Sequence, residues 1–288
     1  MSRGSLDTLM RTYRRQLVVT RVARISLIVF LTAAVLFSAR MEPWVMPVVV
    51  AAACVMIFGL AISSARSARD VQTGSVLLTT GRLDDAEVWF RQAMSRFSLS
   101  FQARLVAGQQ FAALLFRRDA YDDVVLVCRA LLGHPLGRLR SVWFNVRLLL
   151  VDSLLMLDRR DEAYEAMRPV YDVPLSLLDR MKLLPVQLRY ELAANHTASA
   201  VRELGEKIKV AELLDAPGAA LVHALLAEAC DRQAMGRQRD FLTARAWLYH
   251  DLTDLADRYE LIAPLTARTR PAEQGQDPPE PPPARDPS

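Results

Sequence analysis

Two uncharged, apolar runs near the N-terminus constrain this chain more than any other feature. The first, ISLIVFLTAAVLFSA between Arg24 and Arg40, is fifteen residues long, and the second, PWVMPVVVAAACVMIFGLAI from Pro43 to Ile62, is twenty. A helix rises about 1.5 Å per residue, so the second run covers a hydrocarbon layer of roughly 30 Å; the first does so with Val22, Ala23 and a snorkelling Arg24. Pro47 falls in the first turn of the second run, where a missing backbone donor costs little, and Trp44 stands where an interfacial aromatic anchor is expected. Only Arg40, Met41 and Glu42 separate the runs ahead of Pro43, a turn that joins antiparallel neighbours. The expectation is a transmembrane hairpin over 24–64, with spans at about 22–39 and 43–62.

The arginines orient that hairpin. Arg3, Arg11, Arg14, Arg15, Arg21 and Arg24 precede the first span, and Arg66 and Arg69 follow the second. Positive charge marks the cytoplasmic side, so both flanks belong there, and the expected location is the inner (cytoplasmic) membrane of a bacterium. An alternative makes the first run a cleaved signal peptide ending near Ser38 or Ala39; the following domain is cytoplasmic in either case. Within 1–23, Leu6, Leu9, Met10, Tyr13 and Leu17 recur at helical spacing among the arginines. This is a basic amphipathic cytoplasmic segment, either lying on an anionic leaflet or acting only as a topology signal.

The net charge of +4 follows the same division. Residues 1–70 carry +6, residues 71–263 carry −1 and residues 264–288 carry −1. The part beyond the membrane therefore lacks the basic footprint of a nucleic-acid binder. Cys54, Cys128 and Cys230 are widely spaced, which argues against a disulfide framework or a zinc site and for buried, reduced thiols. His134, His196, His223 and His250 have no second ligand at metal spacing. No phosphate-binding loop, nucleophile elbow or zinc-protease motif occurs, so no catalytic residue, cofactor, metal or small-molecule substrate is expected. The sequon at Asn195, His196 and Thr197 has no role in a cytoplasmic domain. Paired acids such as Asp84 and Asp85, Asp122 and Asp123, and Asp161 and Glu162 sit where helices start and favour the helix dipole.

From 67 to 262 apolar residues recur every three or four positions, without strand-like alternation. A loop-then-helix signature returns as GRLDDA at 81–86, RDAYDDV at 118–124 and DRRDEAY at 158–164, with weaker forms in NHTAS at 195–199 and GRQRDF at 236–241. Ala86, Val124 and Ala163 are 38 and 39 residues apart, a helix-turn-helix period. The first unit resembles a tetratricopeptide repeat: Gly74 at the small position of the first helix, Gly81 at the turn, then Ala86, Phe90 and Ala93. The second keeps Ala112, Val124, Cys128 and Leu131, with Pro135 after it; the third keeps Ala163, Met167 and Val170, with Pro174. Hairpins four (176–213) and five (217–261) rest on periodicity alone. The fold expected is all-α: a two-helix transmembrane hairpin, then a tetratricopeptide-like α-solenoid of about five helical hairpins over 67–262.

The resemblance implies that first helices line a concave groove for a peptide or partner domain, with Gln109, Arg117, Asn145 and Asp152 facing it. Asn145 and Asp152 lie on one helix face in an apolar stretch, where polar groups need water or a partner, or else mark the solvated side. Residues 264–288 are rich in proline and poor in apolar residues, a disordered tail whose PPEPPP could serve as a polyproline ligand. The function expected is a non-enzymatic, membrane-anchored scaffold binding a protein partner on the cytoplasmic side. The alternative is an accessory subunit of a membrane complex acting through its hairpin, where Ala51, Ala52, Ala53 and Gly59 permit close packing.

Overall fold

A computed structural model describes residues 3–38, 45–95, 101–134 and 139–268, with some side chains of the first two helices outside the description. The described chain is all-helical, without strands. It divides into two compact units, Met1–Val173 and Pro174–Ser288. One continuous solenoid from 67 to 262 was the expectation; the units are therefore taken separately. The link between Ser38 and Val45, the segments 96–100 and 135–138 with Pro135, and the tail from 269 lie outside the described residues.

The first unit opens with two long helices, α1 (Arg3–Ser38) and α2 (Val45–Thr79). Then come α3 (Leu83–Ser95), α4 (Phe101–Arg117), α5 (Tyr121–Leu132), α6 (Arg140–Met156) and α7 (Arg160–Tyr171). Each packs on the next from α2 onward, and α4 also touches α2 and α6. α2 runs unbroken from the second apolar run into the partner helix of α3, so no linker separates the two.

The second unit holds α8 (Leu177–Ala193), the short α9 (Thr197–Val201) and α10 (Leu204–Ala211), α11 (Ala216–Arg232) and α12 (Gly236–Tyr249). It closes with α13 (Leu252–Arg258), a 3-10 turn at Glu260–Ile262 and α14 (Ala263–Arg268). Every residue of α11 from Ala219 to Cys230 is buried. Its alanines let α8, α9, α10, α12, α13 and α14 approach from all sides, making α11 the axis of a small bundle. Asp215 caps it by accepting from the Gly218 amide at 3.3 Å, and a Cβ at Gly218 would come within 2.5 Å of that carboxylate. α14 carries the helical chain to Arg268, with Leu265 buried, so order continues past the Pro264 boundary expected of the tail.

Five turns share one backbone conformation. Gly81, Asp119, Asp158, Asn195 and Ala234 are all left-handed, and they are spaced 38, 39, 37 and 39 residues apart. At each, the next amide reaches back five residues: Arg82 to Leu77 O (2.9 Å), Ala120 to Leu115 O (3.1 Å), Arg159 to Leu154 O (2.9 Å), His196 to Glu191 O (2.6 Å) and Met235 to Cys230 O (2.9 Å). This is the Schellman ending, which satisfies carbonyls a helix leaves open. The carbonyls of Arg82, Ala120, Arg159, His196 and Met235 then accept from the amide four residues on, in the first turn of the following helix. The period thus extends through hairpins four and five. Hairpin four departs only later, where left-handed Glu203 splits its second helix into α9 and α10.

Candidate functional site

The first hairpin closes on Gly74. A Cβ there would lie 2.6 Å from Phe90 Cε1, so only glycine lets α2 meet that wholly buried ring. Ala86 and Ala93 are buried on the same face of α3 as Phe90, and Gly81 takes φ +79° in the turn. Ala112, Val124, Cys128 and Leu131, then Ala163, Met167 and Val170, are buried in the following hairpins. Burial pushes the Cys128 thiol far above its ordinary pKa, so it stays protonated.

The residues expected to face a groove are not laid open. No residue of α4 from Ala103 to Phe116 is exposed, nor any of α6 from Val142 to Leu157, because each helix has neighbours on both sides. Gln109, Asn145 and Asp152 are half-buried, and Asn145 and Asp152 have partners within the chain. Arg117 is exposed but donates to Leu78 O at 2.6 Å, tying the end of α4 to the preceding turn. The exposed positions lie instead on the second helices: Asp84, Asp85 and Val88 on α3, Arg129 on α5, and Tyr164, Glu165 and Arg168 on α7.

Ion pairs line the turn edge of the first unit. Arg82 meets Asp85 at 2.6 Å, Arg118 joins Asp84 at 2.5 Å and also Glu87, and Arg129 and Arg159 both hold Glu162. Those two guanidiniums keep the Glu162 carboxyl below the usual carboxylate range. Exposed pairs of this kind stabilise little individually.

The opposite edge is where α3 and α5 end and α4 and α6 begin, and α1 docks there. Leu6, Met10 and Tyr13, at successive turns of α1, are buried. The Tyr13 hydroxyl donates to Arg104 O at 2.9 Å. A Cβ on Gly108 would meet Leu131 Cδ2 at 2.8 Å and Tyr13 Oη at 3.1 Å, so glycine leaves room for the phenol. Gln16 Nε2 reaches Ser95 O at 2.5 Å, while the buried Arg104 guanidinium donates to Gln16 Oε1 at 2.7 Å and to Thr20 Oγ1 at 3.0 Å. Burial lowers the Arg104 pKa and raises that of Tyr13, so the phenol stays neutral. The apolar face read as lying on a leaflet is therefore covered by the chain's own helices.

Both long helices leave this edge on the same side. Gln16 is bonded to Ser95, which lies level with about Ser67 because α2 and α3 pair about the Gly81 turn. From Gln16 to Ser38 and from Ser67 back to Val45, each helix extends roughly 33 Å. The residues between Ser38 and Val45 bridge no more than about 25 Å, which excludes opposite directions.

Along these extensions Val22, Ile25, Ile28 and Val29 of α1 and Val50, Met56, Ile57 and Ile62 of α2 are exposed, with Val55 at 74% and Phe58 at 68%. Val55 to Phe58 are consecutive, and steps of about 100° spread their exposure over several faces of the helix, while Ala53 is buried. Cys54 is exposed among them, which corrects the expectation that all three thiols are buried; Cys128 and Cys230 are. Taken over the described residues, no helix is long and apolar enough to cross a membrane. Side chains 27, 30, 31 and 34–39 of the first uncharged run, and 43–46, 48, 49, 52 and 60 of the second, lie outside those residues.

In the second unit His223 is wholly buried, and Arg189, Glu191, Thr197, Glu228 and Thr243 are buried as well. His223 Nδ1 lies 2.7 Å from Ala219 O and its ring stacks on Tyr249 at 5.5 Å. Burial is the main cause of a lowered pKa; nearby Arg245 lowers it further, while the Ala219 bond and Glu212 oppose. The unfolded chain, titrating near 6.5, takes up a proton that the folded chain refuses. Stability is thus full above that value and declines as pH falls below it. Thermal midpoints measured from pH 7.5 to 5.5 are expected to drop, and His223→Phe should flatten that slope. Among the described residues no group of histidine, cysteine and carboxylate side chains is placed to hold a metal.

No family model, curated protein or solved structure matches this chain.

Proposed function

We propose that the chain is a membrane-anchored, tetratricopeptide-like helical-repeat scaffold that holds a protein partner on the cytoplasmic side of the membrane. The observation that carries the reading is the unbroken passage of α2 from an apolar stretch, exposed from Val55 to Gly59, into the first repeat helix. Consecutive exposed apolar residues need either a protein or a lipid cover, and such a patch on a soluble surface is a liability. The recurrent turns and the packing of Gly74 on Phe90 support the repeat reading. The absence of catalytic motifs in the sequence favours binding over chemistry.

Cys54 provides a direct test of the anchor. In sealed vesicles a water-soluble maleimide is expected to leave Cys54 unmodified while a lipid-soluble maleimide labels it; equal labelling by both would remove the membrane from the reading. The scaffold role is tested by crosslinking in native membranes and identifying what is captured. Gln109→Ala with Asp152→Ala should weaken capture if the first-helix face carries the contact. Arg117 is unsuited to that test, because its loss would disturb the α2–α3 turn.

A second reading makes the hairpin itself the binding element. In its favour, Ala51 and Gly59 are exposed and nothing lies within 4 Å of a Cβ placed on Gly59. Replacing 22–62 with an unrelated hairpin separates the two, since a scaffold keeps its partner and a hairpin-bound subunit loses it.

A further inference from the structure

The first unit is electrically polarised along its hairpin axis. Between Val88 and Arg118, and again between Val124 and Val151, the chain has no acidic residue. These stretches contain the ends of α3 and α5 and the beginnings of α4 and α6, the edge from which the two apolar extensions project. The acids of the repeats gather at the turn edge, where Asp84, Asp85, Glu87 and Glu162 pair with arginine.

At the projecting edge four arginines stand apart from those acids. Arg11 and Arg15, one turn apart on the outer face of α1, are exposed, as are Arg66 and Arg69 on α2. No ion pair or hydrogen bond involves any of the four side chains among the described residues. Asp70, the acid beside them, is buried and already has a partner, and the side chain of Asp7 lies outside the description. Because Gln16 is level with about Ser67, the four arginines fall within roughly 9 Å of one another along the helix axes. Exposed apolar residues follow at once, at Val18, Val19 and Val22 on α1 and at Ile62 on α2.

We propose that Arg11, Arg15, Arg66 and Arg69 form a collar that binds the phosphates of anionic phospholipid headgroups around the hairpin. The inference rests on the membrane reading above and names a partner for this edge. Arginine suits the task, since its planar fork matches two phosphate oxygens. Basic residues beside a membrane segment attract an anionic leaflet over about a Debye length. An apolar face of α1 dipping into the leaflet is not required, because that face is occupied by the repeats.

The test uses the full chain reconstituted into phosphatidylcholine vesicles carrying trace spin-labelled phosphatidylglycerol or spin-labelled phosphatidylcholine. The motionally restricted fraction of each gives their relative affinity for the protein surface. A several-fold preference for phosphatidylglycerol is expected, falling towards one in 1 M salt and in the variant R11Q/R15Q/R66Q/R69Q. The variant R11K/R15K/R66K/R69K, with charge retained but the fork lost, should recover only part of it. A preference near one in the native chain, or one unchanged in the glutamine variant at native helicity, overturns the collar. Vesicle flotation separates the two levels: protein that fails to float with either lipid sinks the membrane reading and the collar together. In detergent, millimolar inorganic phosphate is expected not to displace phosphatidylglycerol; efficient displacement would make this a free-anion site and overturn the lipid assignment.

Discussion

Phe90→Ala is expected to destabilise the first unit by about 3–5 kcal/mol, the range for removing a wholly buried aromatic side chain. Phe90 is fully buried, and its ring edge lies 2.6 Å from where a Cβ on Gly74 would be. The same contact decides the sign of a substitution on the facing helix. Gly74→Ala gains about 1 kcal/mol of helix propensity, but a buried ring in contact on all sides has little space to withdraw, and overpacking typically costs about 1–3 kcal/mol. A net loss is expected, growing with Gly74→Val. Combining Gly74→Ala with Phe90→Leu should cost less than the sum of the single changes. Denaturant unfolding in detergent measures all four; additivity would show that the two positions do not constrain one another.

Tyr13→Ala is expected to release the first half of α1 from the repeats. The side chain is wholly buried, bonds Arg104 O and sits over Gly108. Its loss should cost about 3 kcal/mol locally, on the order of a hundred-fold in the opening equilibrium. Hydrogen exchange should report this as faster exchange confined to about residues 3–20, with the α11 amides unchanged. Arg104→Met is expected to act more weakly, because it removes the buried charge together with its bonds to Gln16 and Thr20 while keeping an apolar stem in place. Unaltered exchange in Tyr13→Ala would mean that α1 is held by something other than this face.

Helices and turns were legible in the sequence because their signals are local. GRLDDA, RDAYDDV and DRRDEAY combine turn residues with acids for the next helix, and all three mark turns of one type. Asn195 suits the same left-handed conformation, but alanine is disfavoured in it, so at Ala234 the backbone bonds mark the period more clearly than the residue does. The cover on α1 was not legible. Leu6, Met10 and Tyr13 announce an apolar face, but periodicity cannot say whether lipid or protein meets it. Groove residues carried over by resemblance met a related difficulty. Arg117 has the position of a groove residue and the partner of a turn clamp, a distinction set by the reach of its guanidinium to Leu78 O. The enclosure of α11 was equally hidden, since no local pattern shows that later helices will wrap an alanine-rich one on every side.

The unbroken α2 has a mechanical consequence. With no loop between Ile62 and Ser67, the helix is a lever whose two arms turn together. The arm from Ile62 to Thr79 is roughly 25 Å long, so a tilt of about 10° in the apolar arm displaces the Gly81 turn by about 4 Å. α1, bonded at Gln16, Thr20 and Tyr13, acts as a stay against that swing. A flexible glycine-serine insert between Ser64 and Arg66 would therefore disconnect the two arms while leaving each folded, and the angular spread of the repeats about the apolar arm would then be limited by α1 alone.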